Sequence, residues 1–337
     1  MRGIFKVGVA AVALAVVMAG ATRSEALIED SYTSFTQPAN ALVMPFDNTS
    51  DWTTFMLVSN VAGTSPTEAG EILGVSTHWA YWSETCEHLV DVWVCLTLND
   101  TIVVDPLNIS AVDVNNTPIG PVTDLSGERG MVVVTAYETD EICSDGSIRG
   151  FRLVDNAIVG SATRANITDG YSFGNDALGL GTDLTGSYTV LPKDTDPAVD
   201  ILTFNPTTTE NSSVAFLSLR EQAGSGDTAD TEVGPNDSEI VATATFFDNM
   251  EVPTGLPDVA VQCTTFATMN PSSEADVTKL IPSTVDVDSS GFLRLDGLNP
   301  DGDPDADTFV YALHGQAVGS FGGSNYGKYK FWMTTLQ

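Results

Sequence analysis

The residues in this chain best suited to chemistry are carboxylates. The run Asn299-Pro300-Asp301-Gly302-Asp303-Pro304-Asp305-Ala306-Asp307 puts an aspartate at every second position of a Gly- and Pro-rich stretch. Carboxylates so spaced can curl around a hard cation that needs about six to eight oxygens. Asp301, Asp303, Asp305 and Asp307 are therefore the candidate metal ligands, and Ca2+ is the cofactor they suit. The run is not an EF-hand, because Ala306 stands where that loop needs glycine and Ala312 where it needs a bidentate glutamate. A second run, Asp286-Val287-Asp288-Ser289-Ser290-Gly291, opens like a calcium loop and lacks the closing glutamate. The competing reading of both is a solvated acidic loop.

A second constellation gathers His78, Trp79, Tyr81, Trp82, Glu84, Glu87, His88 and Trp93, and four of the five tryptophans fall between residues 52 and 93. Exposed rings at Trp79, Tyr81, Trp82 and Trp93 would form a ligand platform that stacks on sugars, with nearby carboxylates bonding hydroxyls. The plainer reading is core, since Trp79 and Tyr81 share a strand face with Val75 and Thr77. His78, Glu84 and His88 as a transition-metal set match no helical or hairpin ligand template.

Enzyme signatures are sparse. There is no His-Glu-x-x-His, and Gly179-Leu180-Gly181 lacks the third glycine of a dinucleotide loop. Three histidines leave few general bases. Two carboxylates suffice for glycoside hydrolysis, but no pair stands out. Glu128 and Arg129, in a compact charged turn before a strand, read as turn residues that pair at a sheet edge.

The disulfide candidates are Cys86, Cys95, Cys143 and Cys263. Four cysteines allow three complete pairings, and spacing does not choose among them. Three of the four lie in the first half of the chain, which favours Cys86 with Cys95 or Cys143. Cys263 is then free or bridges the halves. The absence of a Cys-x-x-Cys pair weakens zinc and thioredoxin-like readings.

The elements that must carry these groups are strands. In His88 to Leu98, valines and leucines at even positions alternate with Asp91, Trp93, Cys95 and Thr97. Further Val-, Thr- and aromatic-rich runs lie at 102–104, 131–137, 151–154, 187–191, 259–266, 309–313 and 329–333. Gly (29) and Pro (16) punctuate them, and no long window after residue 26 holds a 3.6-residue period. Many short amphipathic strands predict an all-β fold of sheet packed on sheet.

The chain also resembles itself. Leu42 to Thr49 matches Ile201 to Thr207, and the strand Thr54 to Ser59 matches Val214 to Leu219. Asp91-Val92-Trp93-Val94-Cys95 matches Asp258 to Cys263, Val159-Gly160-Ser161 matches Val318-Gly319-Ser320, and Tyr171 and Phe173 match Tyr329 and Phe331. The order is preserved at offsets of about 158 to 168 residues, which is the mark of a tandem copy. The expected organisation is a signal peptide at 1–26, β-sandwich unit one at 38–180, a connector at 181–198 and β-sandwich unit two at 199–337, each unit Ig-like or jelly-roll-like.

Residues 1–26 fit export. Arg2 and Lys6 precede an apolar run from Val7 to Ala21, and small residues flank cleavage points after Ala21 and Ala26, the latter favoured. The alternative is an uncleaved anchor; no second long apolar stretch follows. Across 337 residues, 45 acidic side chains face 13 basic ones, a net charge of -32. That field repels phosphate backbones and excludes nucleic acid as a partner. It suits a saline habitat as well as specific calcium sites. The expectation is a secreted or cell-surface protein that binds a glycan or surface protein, or associates with itself, without turnover. A secreted polysaccharide hydrolase and a self-assembling surface-layer or filament subunit are the alternatives.

Overall fold

The computed structural model describes residues 38–61, 74–97, 99–105, 110–112, 118–121, 125–138, 152–153, 157–166, 168, 171–182, 188–190, 201–204, 212–223, 231–237, 240–248, 250, 252–257, 259–268, 278–279, 291–300, 308–317 and 324–329. The chain divides into compact units at 1–34 and 35–337, and all described residues belong to the second. The expected signal segment lies outside the described residues.

Among the described residues there is no helix. The first half contributes β1 (Ala41–Asp47), β2 (Trp52–Asn60), β3 (Val75–Ser83), β4 (His88–Leu96), β5 (Thr101–Val104), β6 (Ser110–Val112), β7 (Pro118–Pro121), β8 (Arg129–Glu138), β9 (Arg152–Leu153), β10 (Ile158–Asn166), β11 (Tyr171–Asp176), β12 (Leu178–Thr182) and β13 (Tyr188–Val190). The second half contributes β14 (Ile201–Phe204), β15 (Ser212–Ala223), β16 (Thr231–Pro235), β17 (Ile240–Asp248), β18 (Pro253–Gly255), β19 (Val259–Val261), β20 (Thr264–Thr268), β21 (Thr278–Lys279), β22 (Gly291–Pro300), β23 (Thr308–Ala317) and β24 (Ser324–Tyr329).

These strands form four larger sheets and a β6-β7 hairpin. Sheet I runs β13-β12-β1-β8-β3-β4, with β9 also on β8; sheet II runs β11-β10-β2-β5. Sheet III runs β14-β22-β17-β18, with β19 on β17; sheet IV runs β21-β20-β15-β23-β24, with β16 on β15. Among the described residues every pairing is antiparallel except β20 with β21. No described sheet mixes strands from the two halves. β13 lies within the stretch read from sequence as connector and pairs with β12 instead.

The neighbour order of sheet I, β1-β8-β3-β4, reappears in sheet III as β14-β22-β17-β18. That of sheet II, β11-β10-β2-β5, reappears in sheet IV as β24-β23-β15-β20. Registers correspond at named points. Gly130 sits between Phe46 and Ser83, and Gly291 sits between Phe204 and Asp248. Likewise Met56 faces Ala162 where Phe216 faces Ala312. Of the sequence matches near the C-terminus, Val318 to Ser320 and Phe331 lie outside the described residues, and Tyr171 opens β11 where Tyr329 closes β24.

The centre of sheet I, β1 and β8, is buried on both faces. Even positions of β1 and β8 (Leu42, Met44, Phe46, Val132, Val134, Ala136) pack with Met56, Val58, Ile158 and Ala162 of sheet II. Odd positions of the same strands (Ala41, Val43, Met131, Val133) pack with Ala215, Leu217, Leu219, Val233 and Phe266 of the second half. All seven residues of β1 are buried, which is why its sequence, Ala-Leu-Val-Met-Pro-Phe-Asp, is nearly continuous in apolar character rather than alternating.

Candidate functional site

The face of sheet I turned to the second half is apolar at one end and polar at the other. The polar end begins with His78, on the even face of β3. Trp93 of β4 stands opposite it in register, and the two rings stack with centroids 4.6 Å apart and planes 28° from parallel. Tyr137 of β8 lies beside Trp93 at 5.4 Å. A β-bulge between Tyr81 and Trp82 shifts the pairing with β4, setting His88 opposite Trp82 while Asp91 stands opposite Ala80. His78, Asp91 and His88 thereby share one face.

The second half supplies the remaining group. Glu232 of β16 is 2% exposed, and its Oε1 lies 3.2 Å from His78 Nδ1 and accepts the Tyr137 hydroxyl. On the other side of the ring, His78 Nε2 is 3.3 Å from Asp91 Oδ1, an ion-pair contact without hydrogen-bond alignment. His88 Nε2 meets the same oxygen at 2.7 Å. Burial alone would lower the His78 pKa; the Asp91 and Glu232 carboxylates outweigh it and raise it from 6.5 to about 9. Burial likewise opposes ionisation of Asp91, yet the two imidazoles prevail and hold its carboxyl below the usual range. At neutral pH the cluster is an imidazolium clasped between carboxylates from opposite halves.

A covalent link lies on the same face. Cys86, in the β3–β4 turn, is bonded to Cys263, between β19 and β20, with Cα atoms 5.4 Å apart. The pairing of Cys86 within the first half is thus corrected: Cys263 bridges the halves. The reason is tertiary, because the turn after β3 rests on sheet IV. Asn236 holds the Cys263 side of the link, accepting its amide at 3.0 Å, while Ser218 N donates to Cys263 O at 2.7 Å. Both cysteines have left-handed backbone, φ 67° and 47°. Cys95 is also disulfide-bonded, and Cys143 lies outside the described residues.

The other sequence candidates are placed as follows. Trp79 and Tyr81 are 1% and 0% exposed in the core between sheets I and II, Trp93 is 6% exposed, and Trp82 is half-buried against the second half. These rings serve packing. Burial pushes the Tyr81 phenol up, and among the described residues its hydroxyl has no hydrogen-bond partner. Glu84 does not join His78 and His88; it accepts the Arg129 guanidinium, which also lies over the Phe266 ring at 5.8 Å. Asp301, Asp303, Asp305, Asp307 and the run from Asp286 lie outside the described residues. Among the described residues no group of three or more His, Cys, Asp or Glu side chains is arranged to hold a metal.

Sequence reasoning named His78 and His88 and missed Asp91 and Glu232. Asp91 shares the face of Trp93 by simple alternation, but nothing local marks it as the partner of His78. Glu232 sits in a Gly-, Thr- and acid-rich stretch that reads as loop; only the alternation Thr231-Glu232-Val233 marks a strand. Compared with known proteins, the chain matches no family model, no curated protein and no solved structure.

Proposed function

We propose that this is an exported, non-catalytic protein of the cell surface or extracellular space, built from two tandem β-sandwich units and acting by binding or assembly. The observation that carries the reading is the join. Two sets of sheets with the same neighbour order share no strand, yet a common apolar core, a disulfide and a buried charge cluster fasten them. Chemistry at that join is spent on holding the halves in one orientation. The histidine between two carboxylates is 2% exposed, so it is out of reach of a polymeric substrate. A fixed, strongly acidic two-unit body suits display of end loops to a partner. Calcium at Asp301 to Asp307 would stiffen it further.

Export is tested by N-terminal sequencing of the secreted chain, which should begin at Leu27. Function is tested by a glycan array and a surface-protein pull-down run beside a reducing-sugar release assay. Binding without release is expected; sugar release that is abolished by a single carboxylate substitution would overturn the non-catalytic reading.

A further inference from the structure

We propose that Asn99 is a glycan acceptor, taking an oligosaccharide from a lipid-diphosphate carrier during export. The inference rests on the export reading, because this modification belongs to secreted chains. Its signal is the triplet Asn-x-Ser/Thr with x other than proline. Such triplets begin at Asn48, Asn99, Asn108, Asn115, Asn166, Asn211 and Asn236. Composition does not rank them, since Asn, Ser and Thr are common turn residues. Burial does. Asn48, Asn166 and Asn236 are 5%, 3% and 1% exposed. Asn48 Oδ1 accepts the Thr54 amide at 3.2 Å, and Asn236 Nδ2 donates to Ser218 Oγ at 3.2 Å. Asn166 closes β10, in register between Trp52 and Tyr171. A sugar on any of the three has no room in the folded chain. Asn108, Asn115 and Asn211 lie outside the described residues.

Asn99 differs on each count. It is exposed, in the turn from β4 to β5 that Asp100 N closes onto Thr97 O at 3.0 Å. Its backbone is left-handed, φ 59°, a conformation that asparagine adopts more readily than most residues. The backbone amide donates to Asn60 O at 3.1 Å, while among the described residues the side-chain amide has no hydrogen-bond partner. Thr101, the hydroxyl residue of the triplet, is exposed as well, with its Oγ1 2.8 Å from Ser59 Oγ. A pinned backbone carrying a free, exposed amide is what an acceptor requires. In the transfer, Asn99 Nδ2 bonds to C1 of the first sugar and the C1–O bond to the diphosphate breaks. The lipid diphosphate leaves with the bonding electrons, and the amide gives up one proton.

The test is mass spectrometry of peptides from the chain secreted by its own host. The peptide holding Asn99 should carry the sugar, and those holding Asn48, Asn166 and Asn236 should not. Asn99→Asp keeps a residue that tolerates left-handed backbone and should abolish the added mass with unchanged secretion and melting. Thr101→Ala should abolish it too, and Thr101→Ser should retain it. If Asn99→Asp does not fold, the Thr101 pair decides. A secreted, processed chain with Asn99 bare, a sugar at Asn99 that survives Thr101→Ala, or a sugar on one of the buried asparagines would overturn this proposal alone. A retained chain that keeps residues 1–26 and a bare Asn99 would overturn it together with the export reading.

Discussion

Glu232→Gln keeps the shape of a buried side chain and removes the charge that the second half lends to the first. In the folded protein His78 has its pKa raised from 6.5 to about 9, burial opposing and the two carboxylates prevailing. That rise corresponds to about 3 kcal/mol in favour of the folded state. A raised pKa stabilises fully below the unfolded value and is lost as pH climbs through the folded one. The benefit is therefore complete below about pH 6.5 and gone somewhat above pH 9. Asp91 and Glu232 share it, so the part belonging to Glu232 is on the order of 1–2 kcal/mol. Urea unfolding followed by tryptophan fluorescence suits the measurement, since Trp93 stacks on the titrating ring. At about pH 6 the variant should be less stable by that amount, and the two proteins should converge by about pH 10. Histidine NMR should show His78 titrating near 9 in wild type and lower in the variant. The groups facing His78 are Asp91, Glu232, Trp93 and Tyr137, with His88 on Asp91, so no other charge should mimic the effect. A stability gap that stays constant from pH 6 to 10, or a wild-type His78 titrating near 6.5, would refute the reasoning. On the acid side, Asp91 stabilises above its ordinary value of 3.8 and stops doing so as pH falls through its lowered folded value, so Asp91→Asn should shift the acid-unfolding midpoint upward.

Removing the Cys86–Cys263 bridge, which closes a separation of 177 residues, should cost about 3–5 kcal/mol in denaturant unfolding; an unchanged midpoint after Cys86→Ala with Cys263→Ala would contradict the locked join. Two tyrosines should respond in opposite ways to loss of the hydroxyl: Tyr137→Phe strips a donor from Glu232 and should cost about 1–3 kcal/mol, while Tyr81→Phe removes a phenol unpartnered among the described residues and should be neutral or stabilising. Gly130→Ala would put a Cβ 1.9 Å from the Trp82 carbonyl oxygen and should lower stability by more than about 3 kcal/mol, whereas Gly127→Ala, at φ 86° with open space around it, should cost about 1–2 kcal/mol; thermal melts of the pair check the contrast. Calcium should raise the melting temperature at fixed ionic strength and the chelator reverse it; coincident melts would remove Asp301 to Asp307 from consideration as ligands.

Strand chemistry was plain in the amino-acid order. The alternation at Val90, Val92, Val94 and Leu96 marked the core face of β4 correctly, and Trp79 and Tyr81 sit in the core as their company with Val75 suggested. What the order did not disclose were relations at long range. A bulge of one residue at Tyr81/Trp82 decides which side His88 takes, and no local pattern announces it. The Cys86–Cys263 bond depends on which turn rests on which sheet. Glu232 gains its role only from His78 and Tyr137, which are distant in the chain, so its own neighbourhood gives no hint of a buried charge.

The double-sided burial at the centre of sheet I has a bearing on how this chain can be cut. A fragment ending after residue 190 would leave Ala41, Val43, Met131, Val133, Leu178 and Leu180 wet and His78 without its glutamate. Such a fragment has an oily wall where a finished bead should have a solvated skin. The first half relies on the second as its cover, and truncation should yield aggregate rather than a smaller working piece.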